Sequence, residues 1–275
     1  MPAFLQLTRP GNVLITGLTV FVGGVIASGG ADYSAFVLIL AGLSAGLVAA
    51  GANALNDFHD LAIDLINCPD RPIPSGRISR TGAAAWGWLL MIAGVTLGFR
   101  LAIELGWVAF IVATLLWLYN KSLKRTYLLG NFAVALCGGA AFIYGGLAVG
   151  KVSASLIPAA FAFMIHLARE IVKDVDDIAG DLAAGARTLP IVSGRRSALI
   201  VTAVVLIVLA CSTPLPWLFG IYTLKYLVLV TLTVAIPLLI IAISILLGVQ
   251  SVGVKQTSLY LKLIMITGLI SLYVG

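Results

Sequence analysis

Nine of the eleven Asp and Glu residues in this 275-residue chain lie in two short stretches, NDFHDLAIDLINCPD (Asn56 to Asp70) and REIVKDVDDIAGD (Arg169 to Asp181). On a continuing helix Asn56, Asp60 and Asp64 recur at every fourth residue and share one face, with Asp57 flanking it. Like charges stacked this way repel, so the spacing predicts something positive between them. The second stretch repeats the arrangement, with Glu170, Asp174, Asp177 and Asp181 on one helical face, Asp176 pointing elsewhere, and Arg169 and Lys173 on the neighbouring stripe rather than between the acids. A donor set made only of oxygen suits hard cations. It favours Mg²⁺, which keeps waters and binds through a few carboxylates plus substrate phosphates. The chemistry expected of such a pair is the handling of a diphosphate.

A third stretch, YNKSLKR (Tyr119 to Arg125), is basic. Beside two acid clusters, Lys121, Lys124 and Arg125 become candidates for gripping phosphate oxygens and stabilising a departing diphosphate. Arg9 and Asn12, in TRPGN, are further candidates. The plain alternative, solvated helix ends with a lipid-facing basic loop, accounts for one acid cluster and poorly for two that match.

The elements that must position these residues are membrane helices. A chain with 61% hydrophobic residues, 10% charged residues and a mean hydropathy of +1.11 is too apolar for a water-soluble globule of this length. Crossing the hydrocarbon takes roughly 20 apolar residues. Nine such runs are predicted, at 10–29, 35–56, 82–100, 104–119, 130–150, 153–171, 197–216, 222–248 and 257–274, in a single domain over 1–275. Nothing near the N-terminus predicts a cleaved leader, so the first helix is expected to be retained. With a cytoplasmic N-terminus, the connections 57–81, 120–129, 172–196 and 249–256 fall on the cytoplasmic side and hold most of the Lys and Arg, as the positive-inside rule requires. The two acid clusters end the second and sixth helices, four crossings apart, so parity puts both at one rim of the bilayer.

Other chemistry-bearing residues read as structural. Cys68, Cys137 and Cys211 have no pairing or metal-ligand spacing. His59 and His166 sit apart on different helices, and five Trp near helix ends suit an interfacial belt. No nucleic-acid or protein partner is implied.

The Asn-x3-Asp-x3-Asp frame of NDFHDLAID, the following RPIPSGRIS and the Asp-x3-Asp frame of DDIAGD resemble the two aspartate-rich motifs of the UbiA superfamily of intramembrane prenyltransferases. The resemblance implies an all-α bundle of nine transmembrane helices around a central cavity with a cytoplasmic cap. In that fold Mg²⁺ bridges both motifs to an isoprenyl diphosphate. It implies Asn56, Asp60, Asp64, Asp177 and Asp181 as metal-holding residues, with the four aspartates and Lys124 catalytic. Arg9, Asn12, Asn56, Asp57, Arg71, Tyr119, Lys121, Arg125, Lys173 and Asp174 then contact substrate. The family's Tyr-x3-Lys motif is one residue longer here, from Tyr119 to Lys124, with Lys121 inside it, so either lysine can fill the role.

INCPDRPIPSGRIS and REIVKDVDDIAGDLAAGARTLPI look most like the archaeal ether-lipid branch. That branch implies transfer of geranylgeranyl from its diphosphate to the sn-2 hydroxyl of geranylgeranylglyceryl phosphate, a membrane-embedded acceptor. Cleavage of the allylic C1–O bond spreads positive charge over the allyl unit and leaves negative charge on the diphosphate. The hydroxyl then attacks C1, and its proton passes to a motif aspartate or to the released diphosphate. Related enzymes with aromatic or tetrapyrrole acceptors share parts of the same text. From another class, a cation-coupled transporter also places acids in two similar halves, but these acids lie at one rim and their helices lack a Gly or Pro break at mid-depth.

Overall fold

The computed structural model describes residues 2–248 and 253–275, without the side chains of Ile66 and Asn67. Among the described residues there are nine helices long and apolar enough to cross a membrane and no strands. They are α1 (Pro10–Ser28), α2 (Ala35–His59), α3 (Arg80–Leu101), α4 (Ile103–Lys121), α5 (Leu129–Ala148), α6 (Leu156–Asp176), α7 (Arg195–Ser212), α8 (Leu224–Leu247) and α9 (Val254–Val274). The chain is a multi-pass membrane protein, and each helix matches a predicted run. The sixth extends past its predicted end to Asp176, carrying the first part of the acidic stretch in regular helix. Of the predicted connection 249–256, residues 249–252 lie outside the described residues.

The chain divides into two compact units. One comprises the chain up to Lys124 with Ala140–Ser155; the other comprises Arg125–Gly139 with Leu156–Gly275. In the first unit α2 packs on α1, α3 and α4. Its approach to α3 is close because glycine lines the crossing. A Cβ on Gly51 would lie 2.5 Å from the Gly87 carbonyl oxygen, and one on Gly94 would lie 2.7 Å from that of Ser44. Small residues at such a crossing let backbones touch in a bilayer, where burial of apolar surface does not itself drive helices together. The same crossing holds a buried polar link, in which the Ser44 hydroxyl donates to the Gly94 carbonyl at 2.7 Å and lies 2.8 Å from the Tyr144 hydroxyl. α2 is thereby fixed over its length, and the first acidic stretch is at its end.

In the second unit α6 packs against α7 and α9, around a core of Ala135, Leu167, Ile171, Val175, Leu189 and Ala198. Gly138 on α5 leaves room for the His166 ring, since a Cβ there would lie 2.2 Å from the imidazole Cδ2. α8 contains a π-helical segment, Thr231–Ala235, just before Pro237. A proline inside a helix has no N–H to donate and crowds the carbonyl four residues back. That carbonyl, of Thr233, instead accepts from the Thr267 hydroxyl on α9 at 3.1 Å.

Candidate functional site

Asp60 ends α2 with φ and ψ of −91° and 4°, and a short helix, Leu61–Asn67, follows it. The continuous helix expected through Asn56, Asp60 and Asp64 is therefore broken at its middle carboxylate. The register survives the break: the Asp60 N–H donates to the Asn56 carbonyl at 2.9 Å and the Asp64 N–H to the Asp60 carbonyl at 2.8 Å. Asp60 sits in the sparsely populated region between helix and strand, where many active-site residues are found.

Positively charged side chains from three parts of the chain stand against these acids. Arg9 Nη2 donates to Asn56 Oδ1 at 2.9 Å and to Asp57 Oδ1 at 2.5 Å. Arg71 Nη1 bonds both oxygens of Asp64, at 2.8 and 2.7 Å, and lies 3.5 Å from Asp57. Lys124 pairs with Asp60. Asn56 Nδ2 donates to Asp60 Oδ2 at 2.8 Å and to Asn120 Oδ1 at 3.2 Å. The Asp57 side chain is 5% exposed, while those of Arg9 and Arg71 are 33% and 34% exposed. The acids are thus enclosed and the guanidinium groups reach water, where a phosphate could meet them.

Local sequence explains both arginines. Arg9 joins the short helix Ala3–Thr8 to α1 with φ of 53°, the only non-glycine residue with positive φ among the described residues. Pro10 follows it, and a residue before proline is disfavoured in the right-handed helical region. The side chain is left pointing at the end of α2. Arg71 opens RPIPSG, which closes into a compact turn. The Ile78 N–H donates to the Pro72 carbonyl at 3.0 Å, Gly76 takes φ of 75°, and Arg77 donates to the Asp70 carbonyl, the Ser75 hydroxyl and Gln6. Ile73 and Ile78 anchor the turn against Leu7, Ala54 and Ala83. The motif works as a bracket that holds one guanidinium between two aspartates. Burial, the largest influence, raises the Asp64 carboxyl above its ordinary range although Arg71 opposes it, and the neighbouring Asp57 and Asp60 push the same way as burial.

In the second unit α6 ends at Asp176, Asp177 has φ and ψ of −96° and 8°, and the short helix Ile178–Ala183 follows. The one-face helix expected through Asp181 is broken here as well, again with its register kept: the Asp177 N–H donates to Lys173 and the Asp181 N–H to Asp177, each at 2.9 Å. Asp177 is exposed and Asp181 half-buried. The neighbouring-stripe cations do reach the acids, contrary to the sequence expectation: Lys173 Nζ is 2.7 Å from Glu170 Oε2, and Arg169 Nη1 is 3.3 Å from Glu170 Oε1. Lys173 is three positions from Glu170 and so lies on its helical face, while Arg169 reaches its neighbour because its side chain is long. Asp174 accepts from Asn131 Nδ2 of α5 at 2.7 Å.

The first unit thus gathers Arg9, Asn56, Asp57, Asp60, Asp64, Arg71 and Lys124 into one network, and the second holds Lys173, Asp174, Asp177 and Asp181 at the end of α6. Lys121 lies elsewhere, its ammonium 4.9 Å from the Trp117 ring centroid, so Lys124 is the lysine brought to the first motif. Arg125 is exposed, and its carbonyl accepts from the Arg187 N–H at 2.8 Å. Asn12 stands one turn into α1, its N–H on the Arg9 carbonyl at 2.8 Å, and Tyr119 is half-buried beside Asn120. Sequence reasoning passed over Asn120 and Asn131. Asn120 is 3% exposed and donates to the Ala52 carbonyl at 2.9 Å while holding Asn56. A carboxamide within an apolar helix is the signal that could have found both.

Among the described residues no three His, Cys, Asp or Glu side chains come together closely enough to hold a metal ion by themselves. The oxygen set still fits Mg²⁺, an ion that keeps waters and completes its shell with substrate phosphates.

Nine apolar helices with an acid-bearing break at the ends of two of them define a polytopic, all-helical membrane enzyme. The chain belongs to the UbiA prenyltransferase family, whose pattern matches residues 16–263; it is an intramembrane prenyltransferase. It is 32% identical to digeranylgeranylglyceryl phosphate synthase of Methanosphaera stadtmanae, over 100% of this chain and 99% of that one. It is 39% identical to the enzyme of the same name from Halobacterium salinarum, over 82% of each. The solved structure of digeranylgeranylglyceryl phosphate synthase in membranes superposes with a TM-score of 0.77 at 29% identity, covering 99% of this chain and 97% of that one. A UbiA homolog from Archaeoglobus fulgidus bound to DMAPP and Mg²⁺ has the same fold, with a TM-score of 0.73 at 18% identity over 99% and 100%. Membership of a prenyltransferase family sets aside the transporter reading.

Proposed function

We propose that this enzyme transfers a geranylgeranyl group from geranylgeranyl diphosphate to the sn-2 hydroxyl of geranylgeranylglyceryl phosphate, with its acidic motifs on the cytoplasmic side and Mg²⁺ as cofactor. The observation that carries the reading is full-length identity of 32% to a digeranylgeranylglyceryl phosphate synthase, in a chain whose first motif is a built network of acids and cations. Asn56, Asp60 and Asp64, with Asp177 and Asp181, would hold the metal. Bound there, Mg²⁺ would neutralise the diphosphate and the charge that develops on it as the C1–O bond breaks.

The chain's own residues have separable tasks. Asn120 and Asn56 orient Asp60. Arg9 and Arg71 are partly exposed and can donate to diphosphate oxygens, the kind of charge-assisted contact that fixes an anionic leaving group. Lys124 lies on Asp60 and adds positive charge at the same end. The apolar helices exclude water, which protects an allylic cation until the hydroxyl oxygen bonds to C1.

The test is product analysis with labelled geranylgeranyl diphosphate and Mg²⁺ in detergent, offering geranylgeranylglyceryl phosphate, 4-hydroxybenzoate and a chlorophyllide at matched concentration. Faster prenylation of the glyceryl phosphate is expected. Faster transfer to an aromatic or tetrapyrrole acceptor would overturn the ether-lipid assignment.

A further inference from the structure

Glu170 and Asp174 lie one turn apart on α6 and are held in opposite ways. Both oxygens of Glu170 meet cations, Oε2 with Lys173 at 2.7 Å and Oε1 with Arg169 at 3.3 Å, and its side chain is 4% exposed. Asp174 is half-buried, and its Oδ2 accepts from a neutral donor, Asn131 Nδ2 of α5, at 2.7 Å. Among the described residues no other hydrogen bond or ion pair reaches Asp174, which leaves its Oδ1 open. Asn131 is 4% exposed. A carboxamide enclosed in an apolar helix costs free energy unless it is engaged, and this one is engaged in fixing the orientation of a carboxylate.

The depth of Asp174 gives the difference a use. The Asp177 N–H on the Lys173 carbonyl keeps helical register through the break, so Asp174, three residues earlier, stands about 4.5 Å to the membrane side of Asp177 at 1.5 Å per residue. A diphosphate served by Asp177 and Asp181 has its isoprenoid tail in the apolar bundle, so its C1 lies on that same membrane side. Asp176 is exposed, and Glu170 is a further turn in with both oxygens occupied. Asp174 is the carboxylate of α6 left with an open oxygen at the level where C1 meets its nucleophile.

We propose that Asp174 is the base that takes the proton of the acceptor hydroxyl, and that Asn131 is the residue that positions it. This rests on the function proposed above and deepens it. The C1–O bond breaks with its electron pair going to the diphosphate, a lone pair of the sn-2 oxygen forms the new bond to C1, and the hydroxyl proton passes to Asp174 Oδ1. The neutral acid returns to carboxylate by losing that proton to water. A carboxylate gripped by cations gives up proton affinity, whereas one held by a neutral amide keeps it. Asp174 therefore suits this step and Glu170 does not.

The experiment compares Asp174→Asn and Asn131→Ala with wild type in detergent, with thermal unfolding to check the fold and calorimetry to measure binding of geranylgeranyl diphosphate with Mg²⁺. Transfer is followed to geranylgeranylglyceryl phosphate and to its analogue with a thiol in place of the sn-2 hydroxyl, a nucleophile that ionises in water near pH 8.5. Asp174→Asn keeps the shape and loses the base. It is expected to lower kcat with the hydroxyl acceptor at least about 100-fold, the scale of general-base catalysis, to lower it far less with the thiol, and to leave donor binding unchanged. Asn131→Ala should lower kcat with the hydroxyl acceptor at least about tenfold, the scale of one hydrogen bond to a charged group, with KM for both substrates near wild type. Equal losses with hydroxyl and thiol in folded Asp174→Asn, or weakened donor binding, overturn the base and make Asp174 a holder of the donor. A kcat near wild type in that variant overturns it as well, and these outcomes leave the proposed function standing. Failure of wild type to prenylate geranylgeranylglyceryl phosphate at all, while consuming the donor with another acceptor, overturns both.

Discussion

At Asp60 and at Asp177 the backbone makes the same departure from helix, with φ and ψ of −91° and 4° at the first and −96° and 8° at the second, followed in each case by a short helix that keeps the hydrogen-bond register. Around those two breaks the charges are organised differently. In the first unit the carboxylates are met by Arg9, Arg71 and Lys124, drawn from the start of α1, the RPIPSG turn and the segment after α4. In the second, two ion pairs fall on Glu170, almost two turns before the break, and their cations come from α6 itself. The first network is drawn from distant parts of the chain, while the ion pairs on Glu170 are made within one helix and Asn131 of α5 holds Asp174. A network assembled from distant pieces fixes the orientation of several groups at once, which is what leaving-group stabilisation needs.

If the shared backbone feature marks shared chemistry, Asp60→Ala and Asp177→Ala should each abolish turnover in protein that remains folded by thermal unfolding in detergent. These are the largest effects expected, since each would remove a proposed metal-ligand oxygen and little packing. Turnover near wild type in folded Asp177→Ala would break the comparison and leave the second bend a feature of folding alone.

The difference in charge is sharpened by the lysines. Lys124→Ala should lower turnover by a factor of at least about 10, equivalent to roughly 1.4 kcal/mol in the barrier. Lys121→Ala and Arg80→Ala should change it little, because Lys121 lies over the Trp117 ring and Arg80 sits 4.6 Å from the Phe58 centroid. Equal, small effects at all three positions would return the basic stretch to a lipid-contact role.

Much of this was legible in the sequence because its signals are periodic. Runs of about twenty apolar residues reflect bilayer thickness, and they located all nine helices among the described residues. Four-residue spacing placed Asp60 and Asp64 together and implied positive charge between them. The breaks at Asp60 and Asp177 were invisible, since aspartate is compatible with both a helix and a bridge conformation and neither site has the Gly or Pro that usually announces a kink. The choice between Lys121 and Lys124 was equally hidden: they are three residues apart, and only the fold sets one over the Trp117 ring and the other against Asp60. The partner of Asn120 was hidden, since Asn56 lies 64 positions away, although a carboxamide in an apolar helix marked the residue itself.

The smallest effect expected is the change in stability at Asp64, and it distinguishes a functional carboxylate from a structural one. An aspartate whose salt bridge stabilises the fold has a lowered pKa, and its contribution is lost as pH falls. Asp64 is the reverse case. Burial, reinforced by Asp57 and Asp60, outweighs Arg71 and raises its carboxyl, so the folded chain holds this proton more tightly than the unfolded one. Stability from this group is then fully present below the ordinary aspartate range and is lost as pH rises from there through the raised value. At neutral pH the charge is carried at a cost. Asp64→Asn should therefore be at least as stable as wild type at neutral pH, the gap closing as pH drops below the ordinary range of about 3.9, while turnover is lost. Removing one partner of a buried pair usually destabilises by leaving the other alone, but here Arg71 is 34% exposed and retains Asp57 at 3.5 Å. Unfolding curves of the two proteins across acid and neutral pH decide the matter: an asparagine variant that is clearly weaker at neutral pH would make Asp64 a structural partner of Arg71, and the first motif would then owe its cations to stability more than to the leaving group.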